Sequence, residues 1–136
     1  KTKIDTYIFR TVTKNNTIIF YQKANKQIIS KFKKKGIKLI KSNLFNNKYF
    51  DLKQILSKLY KLGFRNLLVE GGNELSKSFI KKRLYNKFYL FKSSTNLSKL
   101  APYKDFNSFK YLSQNYKSKS IIKSKLGKDS ITLYKK

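Results

Sequence analysis

The chain of 136 residues has no cysteine, histidine, methionine or tryptophan, and it has one proline and five glycines. Without cysteine there can be no disulfide, no thiolate nucleophile and no thiolate metal site. Without histidine there is no imidazole acid–base catalyst and none of the usual zinc ligand sets. No metal site and no cysteine nucleophile is therefore expected. No run reaches the about 18 apolar residues of a membrane-spanning helix, and the opening KTKIDTYIFR lacks the apolar stretch of a secretory signal. A cytoplasmic protein with no membrane contact is the expectation. The absence of methionine ahead of Lys1 points to a fragment or processed piece of a longer product. The length fits one domain or part of one. With 40% hydrophobic and 15% aromatic residues, there is material for a core.

Acids are the other scarcity. Only 6 Asp+Glu oppose 33 Lys+Arg, for a formal net charge of +27. Such a balance suits a polyanion partner. However, the only arginines are Arg10, Arg65 and Arg83, and reading of base edges favours the two-pronged guanidinium. Lys, Asn, Ile, Tyr and Phe are inflated together, which AT-rich codons alone produce. Either origin predicts weak, non-specific binding of nucleic acid at low salt.

Periodicity predicts alternating strands and helices. Thr17–Tyr21 is β-branched and aromatic, as in a strand. Asn25 to Lys35 carries Ile28, Ile29 and Phe32 at helical spacing and is followed by Gly36, a C-terminal cap. Ile37–Ile40 reads as a second strand. Asp51 is an N-cap before Leu52, Ile55, Leu56 and Leu59, which are core positions, and Gly63 closes that helix. A short buried strand is expected through Leu67–Val69, then a helix from about Asn73 to Lys82 and a strand at Phe88–Phe91, its aromatics packed. Ser120–Lys123 and Ser130–Tyr134 flank Gly127-Lys128-Asp129 as an antiparallel hairpin. The pattern is α/β, with a parallel sheet and an added antiparallel edge.

The most informative stretch is LLVEGGNELSKSF, Leu67 to Phe79. An apolar strand delivers a carboxylate, Glu70, and a Gly71-Gly72 turn to the start of a helix. Helix N-termini present unpaired N–H groups and partial positive charge, and glycine lets a phosphate come close to the backbone. Ligands of parallel sheets gather at such strand ends. Asn73, Ser76 and Ser78 can add polar side chains, and Lys77, Lys81 and Lys82 add positive potential. Each residue also has a plainer reading. Glu74 in the first turn favours the helix dipole without any ligand. Glu70 could simply cap the helix, and Gly-Gly could simply make a tight turn.

With LLVEGGNELSKSFIKKRLYNKFYLF complete, the chain resembles the pyrimidine reductase domain of riboflavin biosynthesis, the C-terminal part of the bifunctional deaminase–reductase RibD. The matching residues are Val69, Glu70, Gly71, Gly72, Leu75, Ser78, Phe79 and Leu84, preceded in order by the Leu62–Asn66 turn. The resemblance runs from about Asp51 to Phe91, extends back to Lys1 and fades beyond Ser93. It implies a dihydrofolate-reductase-like sheet with flanking helices. The activity it implies is NADPH-dependent reduction of 5-amino-6-(5-phosphoribosylamino)uracil to its ribitylamino form. On this reading Glu70 contacts the substrate. Gly71, Gly72, Asn73, Glu74, Leu75, Ser76, Lys77 and Ser78 form the loop and helix start that hold the cofactor phosphates. The cofactor carries the hydride, so the chain needs no nucleophile.

The resemblance further implies a homodimer acting on a phosphorylated pyrimidine. Residues 1–136 are then the C-terminal portion of a reductase domain without the zinc deaminase, the family's first strands lying upstream of the position that matches Lys1. Two departures stand out: Asn86-Lys87 replaces an acidic pair, and Lys92–Asn96 replaces a Pro- and Gly-containing segment. Two other readings remain open, a small basic nucleic-acid-binding domain and a degenerate, non-catalytic reductase-like domain.

Overall fold

A computed structural model describes residues 7–12, 17–46, 48–95, 108–123 and 127–136. The chain divides into two compact units, Lys1–Asn66 and Leu67–Lys136.

The first unit is built on a parallel strand pair. Strand β1 (Ile18–Tyr21) leads through helix α2 (Lys26–Lys34) to β2 (Lys38–Lys41), with Ile18 opposite Lys38 and Tyr21 opposite Lys41. Helix α2 starts where Asn25 accepts a hydrogen bond from the Gln27 N–H at 2.8 Å. It ends as Gly36 takes a left-handed φ of 83° and the Ile37 N–H reaches the Phe32 carbonyl. Its lysines face solvent, and Phe32 is its buried residue. Phe32 and Ile37 pack with Phe9 of a short helix α1 (Tyr7–Thr11), and the two phenyl rings meet edge-on at 5.0 Å.

A two-residue-per-strand hairpin follows, β3 (Leu44–Phe45) against β4 (Tyr49–Phe50). Helix α3 (Leu52–Lys61) then runs to Gly63, whose φ is 94°. Gln54 on α3 accepts hydrogen bonds from the buried Ser42 hydroxyl (2.7 Å) and the Asn43 N–H (3.2 Å), fixing the helix to the residues after β2.

The second unit holds helix α4 (Asn73–Lys81), strand β5 (Lys87–Lys92), helix α5 (Phe109–Asn115), and strands β6 (Ser118–Ile122) and β7 (Ser130–Lys135). The sheet order is β5-β7-β6, antiparallel throughout. The expected hairpin therefore forms, but its second strand occupies the middle of the sheet. Ile80, Leu112, Tyr116 and Tyr134 make the buried centre, flanked by Tyr85, Phe88, Leu90 and Tyr111. The C-terminal ends of α4 and α5 are tied together: Asn115 donates to the Ile80 carbonyl (2.9 Å) and accepts from Arg83 Nε (3.0 Å). Arg83 itself sits at φ 53°, where helices α2 and α3 use glycine. A side chain costs about 1 kcal/mol in that conformation.

Three expectations need correction. Leu67–Val69 belongs to no strand among the described residues, with Leu67 49% and Leu68 80% exposed. An apolar run becomes a strand only when neighbours take up its main-chain groups, and none of the described strands pairs with it. The strands form separate small sheets, one parallel and two antiparallel. Finally, Tyr89 and Phe91 of β5 are exposed; Phe88 and Leu90, on alternate positions, pack on the core.

Candidate functional site

The start of α4 is where the sequence-predicted site residues gather. Gly72 is its N-cap, at φ −65° and ψ 175°, and no side chain caps the helix. The first intrahelical bond runs from the Ser76 N–H to the Gly72 carbonyl at 3.1 Å. The N–H groups of the preceding turn thus lie at the positive end of the helix with no side-chain cap over them.

The two glycines serve different ends. A Cβ on Gly71 would lie 2.7 Å from Leu75 Cδ2 and 3.0 Å from Leu75 Cβ, so Gly71 is needed for the Leu75 side chain to fold back over the turn. A Cβ on Gly72 would meet nothing within 4 Å, and its φ is one that any residue adopts. Neither strain nor packing inside the chain requires glycine there. What remains is access: a bare backbone at the positive end of a helix suits a group that approaches from outside, such as a phosphate.

The other expected residues divide by what their side chains do. Glu70 is exposed just before the glycines, and Glu74 is exposed in the first turn, where its charge complements the dipole. Asn73 opens the helix and is half-buried. The Ser76 hydroxyl donates to the Gly71 carbonyl at 3.4 Å and is also hydrogen-bonded to the Tyr85 phenol. Ser78 donates to the Glu74 carbonyl at 2.8 Å, inside the helix. Both serine protons are thus engaged by the turn itself, and an incoming anion would be met mainly by backbone N–H groups. Lys77, on the second turn, is half-buried.

Two tyrosines missed from sequence support this helix. Tyr85 stacks on Phe79 at 5.0 Å and meets Phe88 edge-on at 5.3 Å. Burial pushes its phenol up, with the Ser76 hydrogen bond opposing. Tyr111 of α5 lies beneath Lys81, whose ammonium is 4.6 Å from the ring centroid. The Lys81 hydrogen bond and charge, with smaller contributions from Lys77 and Lys110, hold that phenol below its ordinary value. No spacing signal links Lys81 to Tyr111, because they come from different helices.

The family model described as the RibD C-terminal domain matches residues 1–97. The chain belongs to this family. The membership makes it a reductase-type domain of riboflavin biosynthesis with a dihydrofolate-reductase-like α/β fold. The match contains the whole Glu70–Ser78 constellation and β5, while α5, β6 and β7 lie beyond it. No curated protein matches the chain. Among the described residues, no helix is long and apolar enough to cross a membrane, and no cluster of ligand residues could hold a metal ion.

Proposed function

We propose that this chain carries the cofactor-phosphate and substrate-acid part of an NADPH-dependent oxidoreductase that reduces 5-amino-6-(5-phosphoribosylamino)uracil. One observation carries the reading: the α4 start is uncapped and open over Gly72, directly after Glu70, in a RibD-family sequence. The residues present fit a dinucleotide phosphate. The N–H groups at the start of α4 would bind it, the glycine would let it approach, and Lys77 would add positive charge. Glu70 would offer its carboxylate as an acceptor to donors on the substrate. NADPH, when bound, supplies the hydride for converting the ribosylamino group to ribitylamino. A cytoplasmic homodimer acting on this phosphorylated pyrimidine is the assembly that the resemblance implies.

The test is a titration of the chain with NADPH at about 0.15 M salt, where exposed charges are largely screened, beside NADH. Saturable binding that favours NADPH and is lost in Gly72→Asp supports the site. Binding that ignores both the 2′-phosphate and the Gly72 change removes it. In the intact protein, Glu70→Gln should lower turnover while leaving NADPH affinity unaltered.

A further inference from the structure

Helices α4 and α5 pack on each other in the second unit, and they bring together cations that are distant in sequence. Lys77 and Lys81 stand one turn apart on α4, about 6 Å along its axis. Lys110 and Tyr111 come from α5. Lys81 sits over the Tyr111 ring and is hydrogen-bonded to its phenol, and Lys77 and Lys110 act on the same phenol. Helix α5, FKYLSQN, contains no acid, and the single acid of α4 is Glu74, in its first turn. Among the described side chains of α5, the exposed positions are polar: Ser113 and Gln114 beside Lys110. A lipid surface or an apolar protein partner would need exposed hydrophobic side chains here, and the described exposed side chains of α5 offer none. A row of ammonium groups at helical spacing, joined by a phenol and with Glu74 the one carboxylate on these two helices, instead suits a chain of phosphates. Lysine in place of arginine fits contact with the backbone and not with base edges.

We propose that the α4–α5 face of the second unit binds the phosphate backbone of single-stranded nucleic acid without reading its sequence. This is independent of the reductase reading, and Lys81, Lys110 and Tyr111 carry it. The full chain is titrated with a fluorescent uridine oligonucleotide at several salt concentrations. Lys81→Gln/Lys110→Gln is compared with Lys33→Gln/Lys34→Gln, which removes the same charge from the exposed face of α2.

Losing two phosphate contacts should reduce the log–log salt slope by about 1.4 and weaken binding about tenfold near 0.15 M salt. The α2 pair should change affinity by less than about threefold. Equal losses in both variants would mean that the net charge of +27 acts diffusely, and would overturn the proposal. So would displacement of the oligonucleotide by stoichiometric NADPH, which would merge this face with the cofactor site. A sulfated polysaccharide binding with the same dependence on Lys81 and Lys110 would also overturn it, since the ligand would then be any polyanion. Circular dichroism of both variants confirms that they are folded.

Discussion

Helices α3 and α4 differ by a single residue in length and both start from extended backbone, but their first turns are finished in opposite ways. Asp51 turns its carboxylate onto the N–H groups of Lys53 (3.0 Å) and Gln54 (3.4 Å). Asn25 does the same at the start of α2. At α4 the equivalent position is Gly72, which has no side chain to offer. The two capped helices satisfy their donors within the chain and gain about 1 kcal/mol each. The helix without a side-chain cap is the one that follows Glu70. The difference is what the proposed cofactor site rests on: a cap that two helices have and the third omits.

The comparison depends first on α4 being held from its other end, where Ile80 is fully buried among Leu112, Tyr116 and Tyr134. Ile80→Ala should cost about 3 kcal/mol, measured by denaturant unfolding, and should loosen the amides of α4 before those of α3. Next is the direct exchange of one helix start for the other. Gly72→Asp supplies the missing cap in a conformation that aspartate adopts freely. It should raise stability by roughly a few tenths of a kcal/mol while cutting NADPH affinity at least about tenfold through charge repulsion. If stability and affinity fell together, the contrast between the two helix starts would be void. The reciprocal change, Asp51→Ala, should lower stability by about 1 kcal/mol with no effect on cofactor binding.

The smallest effect concerns pH. Burial raises the phenol values of Tyr85 and Tyr116 above the ordinary 10.0. A raised folded value means the stability they contribute is complete below about pH 10 and is lost as pH rises through the raised values. Tyr85→Phe should therefore remove a late-titrating part of the phenolate absorbance and blunt the loss of stability above about pH 10.

Legibility in the sequence followed the range of the interaction. Helices α2 and α3 were readable because Asn25, Asp51, Gly36 and Gly63 mark their ends within a few residues, and the start of α4 was readable from Gly71-Gly72 and the leucine and phenylalanine spacing behind it. The β3–β4 hairpin escaped because two residues per strand carry no period. Helix α5 escaped because its single cue, Ser108, makes no capping hydrogen bond. The Leu67–Val69 run looked like a strand by composition, but a strand is defined by its neighbours, and composition does not reveal them. At the site, glycine and acid were visible. What Ser76 and Ser78 do was not, since their hydroxyl bonds to the Gly71 and Glu74 carbonyls depend on the turn once folded.

The position of β7 between β5 and β6 sets an order of events for the growing chain. Strand β5 is made early, with Phe88 and Leu90 on one side and Tyr89 and Phe91 on the other, yet its only ladder among the described residues is with Ser130–Lys135. Until Ser130–Lys135 emerge, that edge of β5 lacks the ladder it has in the fold. Long-range pairing of this kind closes slowly and exposes the waiting strand to misassociation. The second unit therefore depends on β7 for the solubility of a strand made about forty residues before it.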